Sequence, residues 1–152
     1  MFFEPAQIPD IIFASGFTEV PGGSNFTHLH LFNDHSYGPC ALGNFTETVN
    51  PLCKEYHKLK LDQRDLDAQK LQIPLMITEF GACMGGETCI TEINSLADAC
   101  DDKLAGWAYW QFKKLGDLTT TAGTGSEGFY DDDGTLQEDK MKALTRTYLQ
   151  VT

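Results

Sequence analysis

The sequence predicts an α/β chain organised as half of an eight-stranded (β/α) barrel, and three observations lead there. Four short apolar segments alternate along the chain with three segments of helical spacing; Leu75-Met76-Ile77 is continuously apolar, as in a strand covered on both faces; and the conspicuous polar residues fall at strand C-terminal ends. Residues 1–4 form a short apolar strand that stops at Pro5 and opens without a charged leader, so it reads as a strand of something larger. Pro21-Gly22-Gly23 is a strong turn signal. Residues 27–34 alternate polar with apolar, offering Leu29, Leu31 and Phe32 for burial in a second strand. Over residues 52–71, Leu52, Tyr56, Leu59 and Leu66 recur at helical spacing as the expected buried stripe. Lys54, Glu55, Lys58, Asp62, Arg64 and Asp65 are its expected solvated face. Pro74 follows, as it should behind a helix end.

Leu75-Met76-Ile77 then runs into Thr78-Glu79-Phe80-Gly81 as the third strand. Residues 91–99 predict a helix with Ile93, Leu96 and Ala97 on one face, and residues 104–112 an aromatic-rich fourth strand. A polar loop over 116–134 precedes a last helix marked by Met141, Leu144, Tyr148 and Val151. Strand–helix order of this kind implies parallel pairing with right-handed crossovers. A half-barrel is preferred to a small doubly wound sheet because Glu4, His35 with Tyr37, Glu79, and Trp110 with Gln111 all sit where such barrels place their chemistry. Gly81-Ala82-Cys83-Met84-Gly85-Gly86 lacks both the P-loop lysine and the dinucleotide spacing.

Composition narrows the partners. The 152 residues carry 22 acidic against 11 basic side chains, a formal charge of −11, which repels phosphate backbones and excludes nucleic acid as the expected partner. Apolar-rich stretches such as residues 8–14 and 73–77 are far shorter than the roughly 20 residues of a spanning helix. A soluble chain is therefore expected. The five cysteines form no C-x-x-C pair and keep no histidine at zinc spacing, which favours disulfides over metal ligation. Cys40 with Cys53 would staple one loop; two of Cys83, Cys89 and Cys100 can pair, leaving one odd thiol. Asn25-Phe26-Thr27 and Asn44-Phe45-Thr46 are glycosylation acceptors if the chain is secretory.

Glu79 carries the most chemistry. A carboxylate directly behind an apolar strand is costly unless it is paired or used, and the plain alternative is a glutamate that caps the next turn or pairs with a lysine. The run Ile73-Pro74-Leu75-Met76-Ile77-Thr78-Glu79-Phe80-Gly81 resembles the seventh strand of family 5 glycoside hydrolases. His35-Ser36-Tyr37 is similar to the His-x-Tyr ending their sixth strand, and Gly106-Trp107-Ala108-Tyr109-Trp110 to their eighth. Within that family, residues 107–113, the tail Glu127-Gly128-Phe129-Tyr130-Asp131-Asp132-Asp133-Gly134-Thr135-Leu136-Gln137 and Met1-Phe2-Phe3-Glu4-Pro5 look like the endoglycoceramidase branch. The resemblance covers essentially the whole chain and implies strands 5 to 8 of the catalytic barrel, with residues 1–152 a partial barrel lacking its N-terminal half.

The resemblance implies that Glu79 is the nucleophile, that Tyr37 hydrogen-bonds it, that His35 holds polar groups of the sugar or of the nucleophile's surroundings, and that Trp110 and Gln111 bind substrate. Trp107 is expected to pack on the opposite strand face, and Glu4 to pack or pair near the end of its strand without a catalytic role. A retaining glycosidase needs a second carboxyl about 5 Å from the first. In the family it lies in an Asn-Glu-Pro run, which is absent; Phe3 stands where Asn would precede Glu4-Pro5. Glu19, Glu87 and Glu127 are conceivable substitutes, none favoured by spacing. Asp131-Asp132-Asp133-Gly134 fails as a calcium loop because Phe129 and Lys140 fall where acids are required. Residues 116–126 are either a lid or plain loop.

The implied activity is retaining cleavage of the glycan–ceramide bond of glycosphingolipids, with no cofactor. The alternatives are another family 5 β-glycosidase acting on glucosylceramide, a sterol glucoside or a polysaccharide, and a non-catalytic half-barrel that binds glycan or serves structurally. The expected partners are a glycolipid or oligosaccharide, the missing barrel half or a second copy, and transiently a membrane surface. The expected location is secreted or endolysosomal. Such barrels run to about 250 residues, so two unpaired sheet edges are expected here.

Overall fold

The computed structural model describes residues 1–6, 13–38, 40, 50–116 and 127–146. Four strands, β1 (Phe2–Phe3), β2 (Leu31–Ser36), β3 (Leu75–Phe80) and β4 (Gly106–Trp107), lie in that order in one sheet, and every pairing is parallel. Helices α1 (Asn50–Leu71), α2 (Gly86–Lys103) and α3 (Glu138–Leu144) follow β2, β3 and β4. Phe32, Ile77, Phe80, Ile93 and Leu96, all fully buried, anchor the core between sheet and helices. Removing each such side chain from water stabilises the fold by about 1.5–3 kcal/mol.

Register matters most at the end of β3. Asp34 pairs with Ile77, but the next pair is His35 with Glu79, so Thr78 is an extra residue and the ladder shifts. Both Thr78 and Glu79 are consequently half-buried on one face, and Phe80 returns to the core. A bulge of this kind re-aims side chains next to a site.

The strand expected over 27–34 is a 3-10 helix, Ser24–Leu29, followed by β2. Gly22 and Gly23 both take positive φ, and the turn they make leads into a Thr27 hydroxyl bond to the Ser24 carbonyl. Leu29 is exposed, whereas Phe32 is buried.

Helix α1 has the expected extent but the opposite face inward. Leu52, Leu59 and Leu66 are exposed, and the buried positions include His57, Lys60, Leu61, Arg64, Ala68 and Leu71. Polar atoms of β2 are the reason. Arg64 Nε donates to Asp34 Oδ2 at 2.5 Å, its Nη1 reaches the Phe13 carbonyl at 2.8 Å and Asp67 at 3.1 Å, and Lys60 Nζ donates to the His35 carbonyl. Lys54, Glu55 and Lys58 stay solvated as expected.

Helix α2 begins at Gly86 rather than at residue 91 and extends to Lys103. Leu104 closes it in the left-handed region, φ 53°, with its amide on the Asp101 and Cys100 carbonyls, so the fourth strand cannot start there and is confined to Gly106–Trp107. Beyond it the chain still tracks β3: Trp110 N donates to the Phe80 carbonyl at 2.8 Å. Trp107 packs edge-on against Phe80, on the core side, as its position predicted.

Cys40 is joined to Cys53 and Cys83 to Cys89, with Cα separations of 5.9 and 5.3 Å. Cys100 is the odd thiol, buried, its pKa pushed up to about 12 by desolvation. A non-reducing peptide map is expected to show those two links and alkylation of Cys100 only after unfolding; a link involving Cys100 would overturn this pairing. Asn25 is exposed in the 3-10 helix. Asn44, residues 7–12 and 117–126, and Tyr148 and Val151 lie outside the described residues. Among the described residues no helix is long and apolar enough to cross a membrane.

Candidate active site

The C-terminal ends of β1, β2 and β3 bring Glu4, Asn33, His35, Tyr37, Thr78 and Glu79 together. Tyr37 Oη donates to Glu79 Oε2 at 2.8 Å, and His35 Nδ1 lies 3.0 Å from the same oxygen. Among the described residues no hydrogen bond reaches Oε1. The shifted register supplies this geometry, since it sets His35 directly beside Glu79. Burial, and next the Glu79 carboxylate, hold the Tyr37 phenol far above its ordinary pKa, so it remains a neutral donor.

His35 also bridges to a second carboxylate, with Nε2 3.5 Å from Glu4 Oε2, and Asn33 Nδ2 donates to that oxygen at 2.7 Å. Thr78 Oγ1 in turn bonds Asn33 Oδ1. Glu4 is thus engaged by Asn33 and His35 and takes the pairing role expected of it. Asn33 belongs to no motif of the sequence; its signal is its place two residues before His35, on the same strand face.

Trp110 and Gln111 converge on Glu127. The indole Nε1 donates to Glu127 Oε2 at 3.2 Å and the Gln111 amide approaches it at 3.4 Å, Gln111 itself being buried. Of the three conceivable substitute acids, Glu127 alone is shown bonded to site residues; Glu19 and Glu87 are exposed near the first turn and at the start of α2. The Glu127 segment is fastened from below. Phe129 stacks on Tyr109 at 5.2 Å, Tyr109 Oη donates to the Glu127 carbonyl at 2.9 Å, and Lys140 Nζ reaches the carbonyls of Cys83, Gly128 and Glu127 at 2.6, 3.1 and 3.3 Å. Burial lowers the Lys140 pKa to about 8 despite the attraction of Asp131 and Glu127. Gly81, φ 101°, lets Tyr109 approach so closely that an added Cβ would lie 2.2 Å from its ring.

Among the described residues one group has metal-ligand spacing, Cys40, Cys53 and Glu92. Its two sulfurs are bonded to each other, so it offers no thiolate.

No known family model matches the chain. The endoglycoceramidase of Cyanea nozakii is 25% identical over 138 residues, which span 91% of this chain and 25% of that protein. That of Hydra vulgaris is 29% identical over 114 residues, 73% of this chain and 18% of that protein. The chain resembles endoglycoceramidases. It spans about a quarter or less of the length of these curated relatives. Its fold is similar to endo-glycoceramidase II from Rhodococcus sp., with a TM-score of 0.68 at 18% identity over 94% of this chain and 30% of that one. Clostridial cellulose synthase subunit Z from Clostridioides difficile aligns with a TM-score of 0.55 at 18% identity over 84% of this chain and 43% of that one. The endoglycoceramidase-like chain is thus an α/β unit with a parallel sheet and the fold of part of a barrel, similar to a stretch of glycoside hydrolases.

Proposed function

We propose that residues 1–152 supply strands 5 to 8 of a retaining β-glycosidase barrel that cleaves the glycan–ceramide bond, with Glu79 as nucleophile. The carrying observation is that Tyr37 donates to one carboxylate oxygen of Glu79 and His35 Nδ1 lies 3.0 Å from the same oxygen. In this reading Oε1 attacks the anomeric carbon. The bond from that carbon to the ceramide oxygen breaks, a glycosyl ester forms, and water later releases the sugar with net retention. Tyr37 and His35 orient the carboxylate. Trp110, its indole edge fixed by Glu127, offers an aromatic face to the sugar, and Gln111 joins it in binding substrate.

The acid that protonates the leaving oxygen is assigned to the other barrel half, because Glu4 is committed to Asn33 and His35. That half, or a second copy, would also cover the β1 and β4 edges, each of which has a single neighbour among the described strands. The disulfides favour a secreted or endolysosomal location, where Asn25 would be open to glycosylation, and a lipid-linked substrate brings transient contact with a membrane surface. The complete barrel is expected to release intact glycan from a glycosphingolipid, first as the β-anomer by proton NMR. Release of the α-anomer would overturn the mechanism. Activity confined to another β-glucoside or a polysaccharide would overturn the substrate, and glycan binding without turnover would make the chain a non-catalytic module.

A further inference from the structure

We propose that the buried Ser36–His57–Glu92 array is a positioning device that holds Tyr37 onto Glu79 from behind. Ser36 Oγ lies 3.0 Å from His57 Nδ1, and His57 Nε2 lies 2.8 Å from Glu92 Oε1. The same Glu92 oxygen accepts the Gly38 amide at 2.5 Å. Ser36 and Gly38 are the two chain neighbours of Tyr37, so α1 and α2, through one histidine and one glutamate, grip the backbone on both sides of the tyrosine.

Serine, histidine and a carboxylate in sequence suggest a nucleophilic triad, but Ser36, His57 and Glu92 are each 0% exposed and no substrate can reach them. A neutral His57 carrying its proton on Nε2 satisfies every bond, accepting from Ser36 and donating to Glu92. Gly38 is required by the approach: a Cβ there would lie 2.6 Å from His57 Nε2 and 2.7 Å from both Glu92 oxygens.

Stability alone does not account for the array. Among the described residues Glu92 Oε2 is buried without a hydrogen-bond partner, a costly state, and an apolar trio of similar volume would hold the two helices at least as well. Such a trio would not fix Ser36 and Gly38. The neighbouring residues show the same logic, since Arg64 and Lys60 of α1 bind Asp34 and the His35 carbonyl. One helix face thereby sets residues 34, 35 and 36 in turn, and with them the two residues that touch Glu79. The catalytic meaning of this device rests on Glu79 being the reactive carboxylate; its geometry does not.

The test is a carbon-13 NMR titration of Glu79 in the full chain, assigned by Glu79→Gln, with thermal melts confirming that each variant folds. Tyr37→Phe removes a donor to the charged form and is expected to raise the Glu79 midpoint by about 1 unit. Ser36→Ala, His57→Phe and Glu92→Leu are expected to raise it by roughly half as much or more, although none of the three residues touches Glu79. Glu92→Gln, which keeps an acceptor for Gly38 and His57, should leave the midpoint at or slightly below its original value. Loss of the Glu92 charge by itself would lower the midpoint, so a rise reports positioning. Folded Ser36→Ala, His57→Phe and Glu92→Leu variants that leave the midpoint unchanged or lower it would overturn the proposal, as would no response to Tyr37→Phe. Midpoint rises in a protein whose Glu79 forms no glycosyl ester would sink the glycosidase reading and leave the positioning role standing.

Discussion

Glu79→Gln lowers glycolipid turnover by the complete barrel roughly 10⁴-fold or more, the scale on which loss of a covalent nucleophile is felt. The amide has the volume of the carboxylate and an oxygen that accepts from Tyr37, so the half-exposed site is expected to keep its shape, with stability within about 0.5 kcal/mol of the parent. It cannot form the ester. The comparison is made on initial rates of glycan release, with circular dichroism to confirm the fold. Turnover within tenfold of the parent would exclude Glu79 as nucleophile.

Arg64→Ala has the largest expected effect on stability. The guanidinium is fully buried and holds Asp34 Oδ2 at 2.5 Å while also satisfying the Phe13 carbonyl and Asp67. Removing it leaves Asp34, itself 1% exposed, with an uncompensated share of its charge. Breaking a buried pair in this way costs about 3–5 kcal/mol, a large part of the 5–15 kcal/mol by which a domain is ordinarily stable. Urea unfolding should show that loss, against a change within about 0.5 kcal/mol for Leu59→Ala on the exposed side. A loss below about 1 kcal/mol for Arg64→Ala would mean the pair is not made in solution.

Those two variants mark what was legible in the sequence. Glu79 could be read because it follows an apolar run, and His35 and Tyr37 because they end an expected strand, where parallel barrels gather polar side chains. The phase of α1 could not be read. Pattern reading assigns Arg and Lys to solvent, and the acid that draws Arg64 inward, Asp34, lies thirty residues earlier in the chain. The extra residue at Thr78 was equally hidden, since strict alternation places Thr78 and Glu79 on opposite faces and only the pairing with β2 reveals the shift. The fourth strand is shorter than its aromatic composition implies, because Leu104 is taken by the end of α2. Glu127 was one acid among several until the fold brought its segment back against Trp110 and Gln111.

Covalent trapping tests the central claim most directly. The complete barrel is incubated with a 2-deoxy-2-fluoro-β-glycoside carrying a dinitrophenyl leaving group, which departs without help from a general acid, and the protein is digested and mapped by mass spectrometry. A single fluoroglycosyl ester on Glu79 is the expected result. A label on Glu127, Glu4 or any other carboxylate, with Glu79 unmodified, would contradict it.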